Sequence, residues 1–405
     1  MLQKSLQLYR EAYSGHPQEV WVLSILTLIN RMGTMVVPFL AVYLTTVKGF
    51  SLEQAGYLMA CFGLGSLAGS YIGGKLSDSI GAKKVMTWSL LISGFFLISI
   101  QWADSFAHFA TLIFLTALFG DAFRPSFMAY LGSFVSKDQT ARTMALIRLA
   151  INLGMTAAPM IGGFLATGYG YKWLFWIDGL TCSLASLYFM YASRNWQSKQ
   201  SVPQREGEKK ESQISESLPP YRNQAYMLFL LSTFLMGFCF IQWFHTVPVF
   251  LKTNWGFDER IIGIMMGFNC ITISLIEMPI VHVLEQKSMV RIAILLGLVC
   301  FALCFVPFLF SGAIWLCFVA ILLFTFGEIF FLPFNNAIPF NVSNEDNRGS
   351  YMSWYWMTWS LTAILGPFIG LNFSGKFGFT AFWILAIIMT GISIAMNLFW
   401  RGKMS

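Results

Sequence analysis

Charge is what this 405-residue chain has least of: 11% of its residues are Asp, Glu, Lys or Arg, where soluble domains carry about a quarter. Together with 56% apolar residues and a mean hydropathy of +0.63, that shortage excludes a soluble globular domain. The four histidines are scattered, with no His/Glu cluster at ligand spacing, so the sequence offers no metal site and no cofactor is expected. The seven cysteines all fall inside apolar runs without ligand spacing, and read as small buried hydrophobes. A nucleotide loop is missing too. Gly69 to Lys75 fits GxxxxGK, but Leu76 stands where Ser or Thr would hold magnesium, and no strand precedes it. No nucleophile and base sit at matched depth, which argues against a membrane-embedded enzyme. The net charge of +7 is spread over short loops rather than gathered in a patch, so nucleic acid is not a partner.

What the chain has is apolar runs long enough to cross a bilayer, for which about 20 residues suffice. They lie near 20–47, 54–74, 84–103, 108–132, 143–167 and 172–192, then 224–251, 261–284, 289–310, 314–341, 350–374 and 379–400. The reading is an all-α membrane protein of twelve transmembrane helices, embedded in a lipid bilayer. Residues 1–19 are polar and no small-residue cleavage site follows the first run, so that span is expected to stay. Leu2, Leu6, Tyr9 and Tyr13 recur at helical spacing, compatible with a short interfacial helix or a solvated tail. With both termini cytoplasmic, eighteen Lys and Arg fall in cytoplasmic segments and five on the other side. Residues 193–223, rich in Lys, Glu, Ser, Gln and Pro, cannot bury enough apolar surface to pack and read as a linker. That gives an N-terminal six-helix bundle over 1–192 and a C-terminal one over 224–405. The linker is too short to fold as a signalling domain.

The halves repeat. Ala158-Pro159-Met160-Ile161-Gly162 matches Gly366-Pro367-Phe368-Ile369-Gly370, and Gly170-Tyr171 matches Gly378-Phe379. Parallel repeats of this kind place a solute path at their interface. Ionisable residues interrupt the spans at related positions: Phe119-Gly120-Asp121-Ala122-Phe123-Arg124-Pro125 in the fourth, and Phe326-Gly327-Glu328 with Pro333 in the tenth. A charge at mid-membrane costs about 2.5–3.5 kcal/mol on the gentlest scale, so such residues usually face a partner or a wet cavity. Gly65, Gly69 and Gly73 form a stripe for close helix packing.

The second loop, Gly74-Lys75-Leu76-Ser77-Asp78-Ser79-Ile80-Gly81-Ala82-Lys83-Lys84, resembles the signature between the second and third helices of the major facilitator superfamily. The fifth span, with Gly154, Pro159, Gly162 and Gly163, resembles the glycine-proline motif of that superfamily's 12-helix drug:proton antiporters, with Ala158 where glycine is commoner. Arg124 resembles their fourth-helix arginine. Gly327-Glu328 also resembles the tenth helix of the proton-coupled oligopeptide transporters, but Thr27 and Asn30 precede Arg31 where those carry glutamates.

The resemblance implies the major facilitator fold, two pseudo-symmetric six-helix bundles, with helices one, four, seven and ten lining a cavity. It implies a cytoplasmic gate at Gly74, Asp78, Gly81, Lys83 and Lys84. Proton coupling and the central cavity are assigned to Arg31, Asp121, Arg124, Glu277 and Glu328. Candidate substrate-cavity residues are Asn30, Gln242, Trp243, His245, Asn335, Tyr351 and Trp354. Loading and unloading a proton on a carboxylate would switch which charge pairs form. Asp178 and Arg148 lie nearer span ends and read as interfacial or structural.

The function expected is secondary active transport by alternating access, as proton-coupled efflux of amphipathic or drug-like small molecules. Proton-coupled uptake of a small polar or peptide-like solute is the alternative. The partners expected are a small-molecule substrate, protons and the bilayer. The chain is expected to be a monomer in a bacterial inner membrane.

Overall fold

A computed structural model describes residues 16–135, 140–196, 219–310, 312–343 and 347–401. Most of the expected N-terminal segment 1–19 and linker 193–223 therefore lies outside the described residues. In lipid every backbone N–H and C=O must find its partner within the chain, and a helix does this locally. No strand occurs among the described residues. The helices are α1 Gln18–Met32, α2 Val36–Val42, α3 Leu52–Leu76, α4 Ala82–Ser99, α5 Phe106–Gly132, α6 Thr140–Gly168 and α7 Tyr171–Ala192. They continue as α8 Gln224–Thr253, α9 Glu259–Gln286, α10 Val290–Leu303, α11 Ile314–Val342, α12 Arg348–Phe377 and α13 Phe379–Arg401.

Among the described residues, ten segments are long and apolar enough to cross a membrane. One of them, Leu52–Trp102, contains both α3 and α4, and Arg348–Phe377 is not among the ten because its apolar character is diluted. Counting those helices separately would reach the twelve that the sequence suggests.

The first apolar run is not one helix, as its uninterrupted hydropathy suggested, but two. α1 stops at Met32, the backbone leaves helical geometry over Gly33–Met35, and α2 begins at Val36. The Asp178 carboxylate of α7 accepts the amide protons of Met35 (3.2 Å) and Val36 (2.8 Å), two donors that the start of a helix leaves unmet. The Thr34 hydroxyl donates to the Arg31 carbonyl at 2.7 Å. Pro38 falls in the first turn of α2, where its missing N–H costs little.

The chain groups into two compact units, Met1–Val36 with Cys61–Glu208, and Val37–Ala60 with Lys209–Ser405. Within the first, α4 packs on α5 and α7, and α6 packs on α1. Its core gathers Leu23, Leu26, Leu90, Phe123, Phe127 and Phe189. Gly65, Gly69 and Gly73 lie against the backbone of α5. A Cβ on Gly69 would sit 2.1 Å from the Leu118 carbonyl oxygen, so only glycine permits this approach. The turn into α4 is made at Gly81, whose φ of +95° lies in the left-handed region.

The second unit repeats the pairing pattern: α10 packs on α11 and α13, and α12 packs on α8. Its core is aromatic, with Trp243, Phe250, Phe301, Phe305, Phe308, Phe324 and Trp383 in edge and stacked contacts. Gly170 and Gly378, matched in the sequence repeat, take nearly the same φ, +86° and +85°. The start of α3 lies on α12, where Glu53 is 4.0 Å from Lys376 and a Cβ on Gly56 would meet the Asn372 amide at 2.6 Å.

Gly69→Leu is expected to cost about 1–3 kcal/mol by overpacking, read as a lower melting temperature of the purified protein. Gly391→Ala, in α13 with open space around it, should leave that temperature unchanged or raise it slightly.

Candidate functional site

In the first unit the charged cluster is built from α1 and α5. Arg31 stands one residue before the end of α1, where the backbone carbonyls favour a cation. Asp121 and Arg124 are three positions apart on α5 and form an ion pair, Arg124 Nε to Asp121 Oδ1 at 2.9 Å. Arg124 is mostly exposed and Asp121 half-buried. Arg31 lies within electrostatic range of both, yet no carboxylate among the described residues comes within 4 Å of it, and its Nε is buried without a hydrogen-bond partner. The cluster thus holds two cations and one anion. Asn30 sits beside it, its amide turned to the Cys182 sulfur at 3.9 Å.

Gly154 on α6 explains how close α1 comes. A Cβ there would lie 2.4 Å from the Arg31 Cβ and 3.0 Å from the Leu28 carbonyl oxygen, so the missing side chain sets where Arg31 stands. Pro159, Gly162 and Gly163 follow on the same helix, all buried.

The second unit holds an acid in place of the basic cluster. Glu328 on α11 is 8% exposed, and its Oε2 accepts from the Asn269 amide of α9 at 2.6 Å. Asn269 also donates to the Thr325 hydroxyl at 2.9 Å, and that hydroxyl donates to the Ile321 carbonyl. Glu277, half-buried on α9, lies within electrostatic range of Glu328. Sequence reasoning did not single out Asn269 or Thr325. The signal available was an asparagine in an apolar run and a threonine three residues before the acid.

The remaining polar positions are knitted together. Gln242 is fully buried. Its amide donates to the Phe238 (2.9 Å) and Gly366 (3.0 Å) carbonyls, and its oxygen accepts from Thr246 at 2.5 Å. It braces α8 against α12, where Gly366 and Gly370 leave it room. Asn335 donates to the Tyr355 hydroxyl at 3.0 Å, and that hydroxyl donates to Asn336. The Tyr351 hydroxyl accepts from Asn223 at 3.2 Å, and its carbonyl accepts from Tyr226 at 2.6 Å. His245 is buried with Nδ1 lacking a partner, Trp243 stacks on Phe324, and Trp354 is half-buried.

In the first unit the signature segment is helical rather than an open loop. α3 runs to Leu76, a wide helical turn spans Ser77–Gly81, and α4 follows at once. The Ser77 hydroxyl ties Gly73 of its own helix to Ser126 of α5. Gly74 lies close to Pro125, and Lys83 donates to the Ser193 carbonyl just past α7. Asp78 and Lys84 are exposed.

Residues 23–367 and 250–404 match the family model of the Major Facilitator Superfamily. The chain belongs to that superfamily. It is therefore an integral, multi-pass transporter-family protein and not an enzyme. Its curated relatives are distant. It is 24% identical over 86% of its length to 85% of an uncharacterised transporter of the superfamily, YqjV of Bacillus subtilis (strain 168). It is 24% identical to Multidrug resistance protein 2 of the same organism, covering 88% of each chain. It is 21% identical to a Na(+), Li(+), K(+)/H(+) antiporter of Planococcus maritimus, over 87% of this chain and 88% of that one. Among solved structures, the peptide transporter POT in complex with sulfate superposes with a TM-score of 0.76 at 15% identity, over 95% of each chain. That likeness shows the major facilitator fold.

Gln242→Leu should lower stability by about 1–3 kcal/mol, because the Gly366 carbonyl and the Thr246 hydroxyl lose their partner in a dry interior. A melting temperature within error of wild type would show that the brace is dispensable.

Proposed function

We propose that this superfamily member is a proton-coupled exporter, exchanging protons for amphipathic or drug-like small molecules by alternating access. It acts as a monomer in a bacterial inner membrane, with both termini cytoplasmic. The observation that carries the reading is Glu328, a buried carboxylate in a membrane helix whose hydrogen bond comes from a neutral amide rather than a cation. A carboxylate held that way can exchange a proton without breaking an ion pair. Glu277 is the second carboxylate within range of Glu328.

The relatives named for multidrug resistance and for cation/proton antiport support export over import. The energy is adequate. One charge crossing about 100 mV releases about 2.3 kcal/mol, enough for a solute gradient of roughly fifty-fold. Gly74, Asp78, Gly81, Lys83 and Lys84 serve the cytoplasmic gate in this reading.

The test is flux in proteoliposomes under an imposed pH gradient, with an ethidium-type cationic dye and an anionic amphiphile as probes. Glu328→Gln should lower gradient-driven flux at least about ten-fold while solute exchange without a gradient persists. Undiminished gradient-driven flux in Glu328→Gln, with Glu277→Gln measured alongside, would remove Glu328 from the coupling step.

A further inference from the structure

We propose that Asp178 is the positioning residue of the broken first span, and that protonation of its carboxylate frees the break and with it the end of α1 that carries Arg31. The starting observation is the interruption at Gly33–Met35. A membrane helix that stops and restarts leaves amide groups that neither lipid nor water can satisfy, so something in the protein must meet them. Here one side chain meets two of them. Both oxygens of Asp178 are engaged, Oδ1 by the Met35 amide and Oδ2 by the Val36 amide, across 143 and 142 positions of sequence. The carboxylate is 1% exposed.

The contact is close on both sides. A Cβ on Gly33 would lie 2.3 Å from the Thr181 hydroxyl oxygen and 3.3 Å from Asp178 Oδ1, so the break rests directly on α7. The division between the two compact units falls between Val36 and Val37, directly after the residue whose amide Asp178 holds, so the carboxylate and both amides lie within the first unit. Arg31 lies two residues before the break, and its carbonyl takes the Thr34 hydroxyl, so loosening 33–35 moves the backbone that carries its guanidinium.

The groups facing Asp178 are neutral or distant. α7 itself contributes Thr181 and Cys182. α1 contributes Asn30, held to Cys182, and Arg31, whose charge acts on Asp121, Arg124 and Cys182. α4 approaches through Gly94 at Gly179. The ionised carboxylate is thus balanced by backbone dipoles. Adding a proton to one oxygen converts that acceptor into a donor facing an N–H, which breaks the hydrogen bond to Met35 or Val36. The device is independent of which solute is carried.

Hydrogen exchange of the full-length protein in lipid nanodiscs tests this, followed by mass spectrometry on a peptide spanning Gly33 to Val42 and corrected for the intrinsic pH dependence of exchange. Losing a hydrogen bond to a charged group should speed exchange at Met35 or Val36 about ten- to a hundred-fold. The wild type is therefore expected to lose that protection as the pH is lowered, while a control peptide from the middle of α5 keeps its own. Asp178→Asn, which preserves shape but cannot take up a proton, should exchange fast throughout and show no pH dependence. Wild-type protection that is constant with pH, or that falls in step with the α5 control, would overturn the proposal. Wild-type-like protection in Asp178→Asn would do the same. The wild-type series decides the matter even where the variant fails to fold.

Discussion

An ionisable side chain inside a membrane span must be given a partner or water, and the architecture of both units follows from meeting that demand. In the first unit Asp121 is matched by Arg124 one helical turn away, and Asp178 by two backbone amides. In the second, Glu328 is matched by Asn269, and Lys252 by Glu259 at 2.9 Å near a helix end. Burying a charge without such help costs several kcal/mol, more than the net worth of most single contacts in the fold. Arg31, with a buried Nε, and His245, with a buried Nδ1, are exceptions that have no hydrogen-bond partner at those atoms. A superfamily whose members move solutes has a use for an exception of that kind.

Close helix packing answers the same demand by another route. Lipid tails are as apolar as leucine, so burial drives helix association weakly, and backbones must come near enough to gain dispersion contacts. Gly69 against Leu118, Gly154 against Leu28 and Arg31, and Gly370 against Gln242 are the points where this happens. The same glycines position the polar residues. Gly154 fixes the height of Arg31, and Gly366 with Gly370 admits the Gln242 brace.

Much of this is legible in the sequence. The glycine stripe of α3, the Gly-Pro segment of α12, and the turns at Gly170 and Gly378 are local signals, and each reappears as a contact or a positive φ. The i,i+3 pairing of Asp121 with Arg124 follows from helix geometry alone. The break in the first span was not legible. Gly33-Thr34 is an ordinary pair in an apolar run, and what stabilises the interruption is an aspartate more than 140 positions away. The Glu328 partners escaped for the same reason, since Asn269 reaches it from a different helix. Hydropathy records where a residue sits in the membrane but carries no information about which neighbour meets its hydrogen bonds. In sequence the signature segment looks like a loop because of its glycines and charges. A wide helical turn accommodates them with a single left-handed glycine at position 81.

The measurement that bears most directly on the whole picture is access of water to the charged positions. Single cysteines at Arg31, Asp121 and Glu328, in a background with the seven native cysteines replaced, would be treated with a small charged thiol reagent in membranes. All three are expected to react, and an added transported solute should slow them. If none reacts under any condition, with or without a pH gradient, the charges are sealed structural ties and the chain does not carry solute past them.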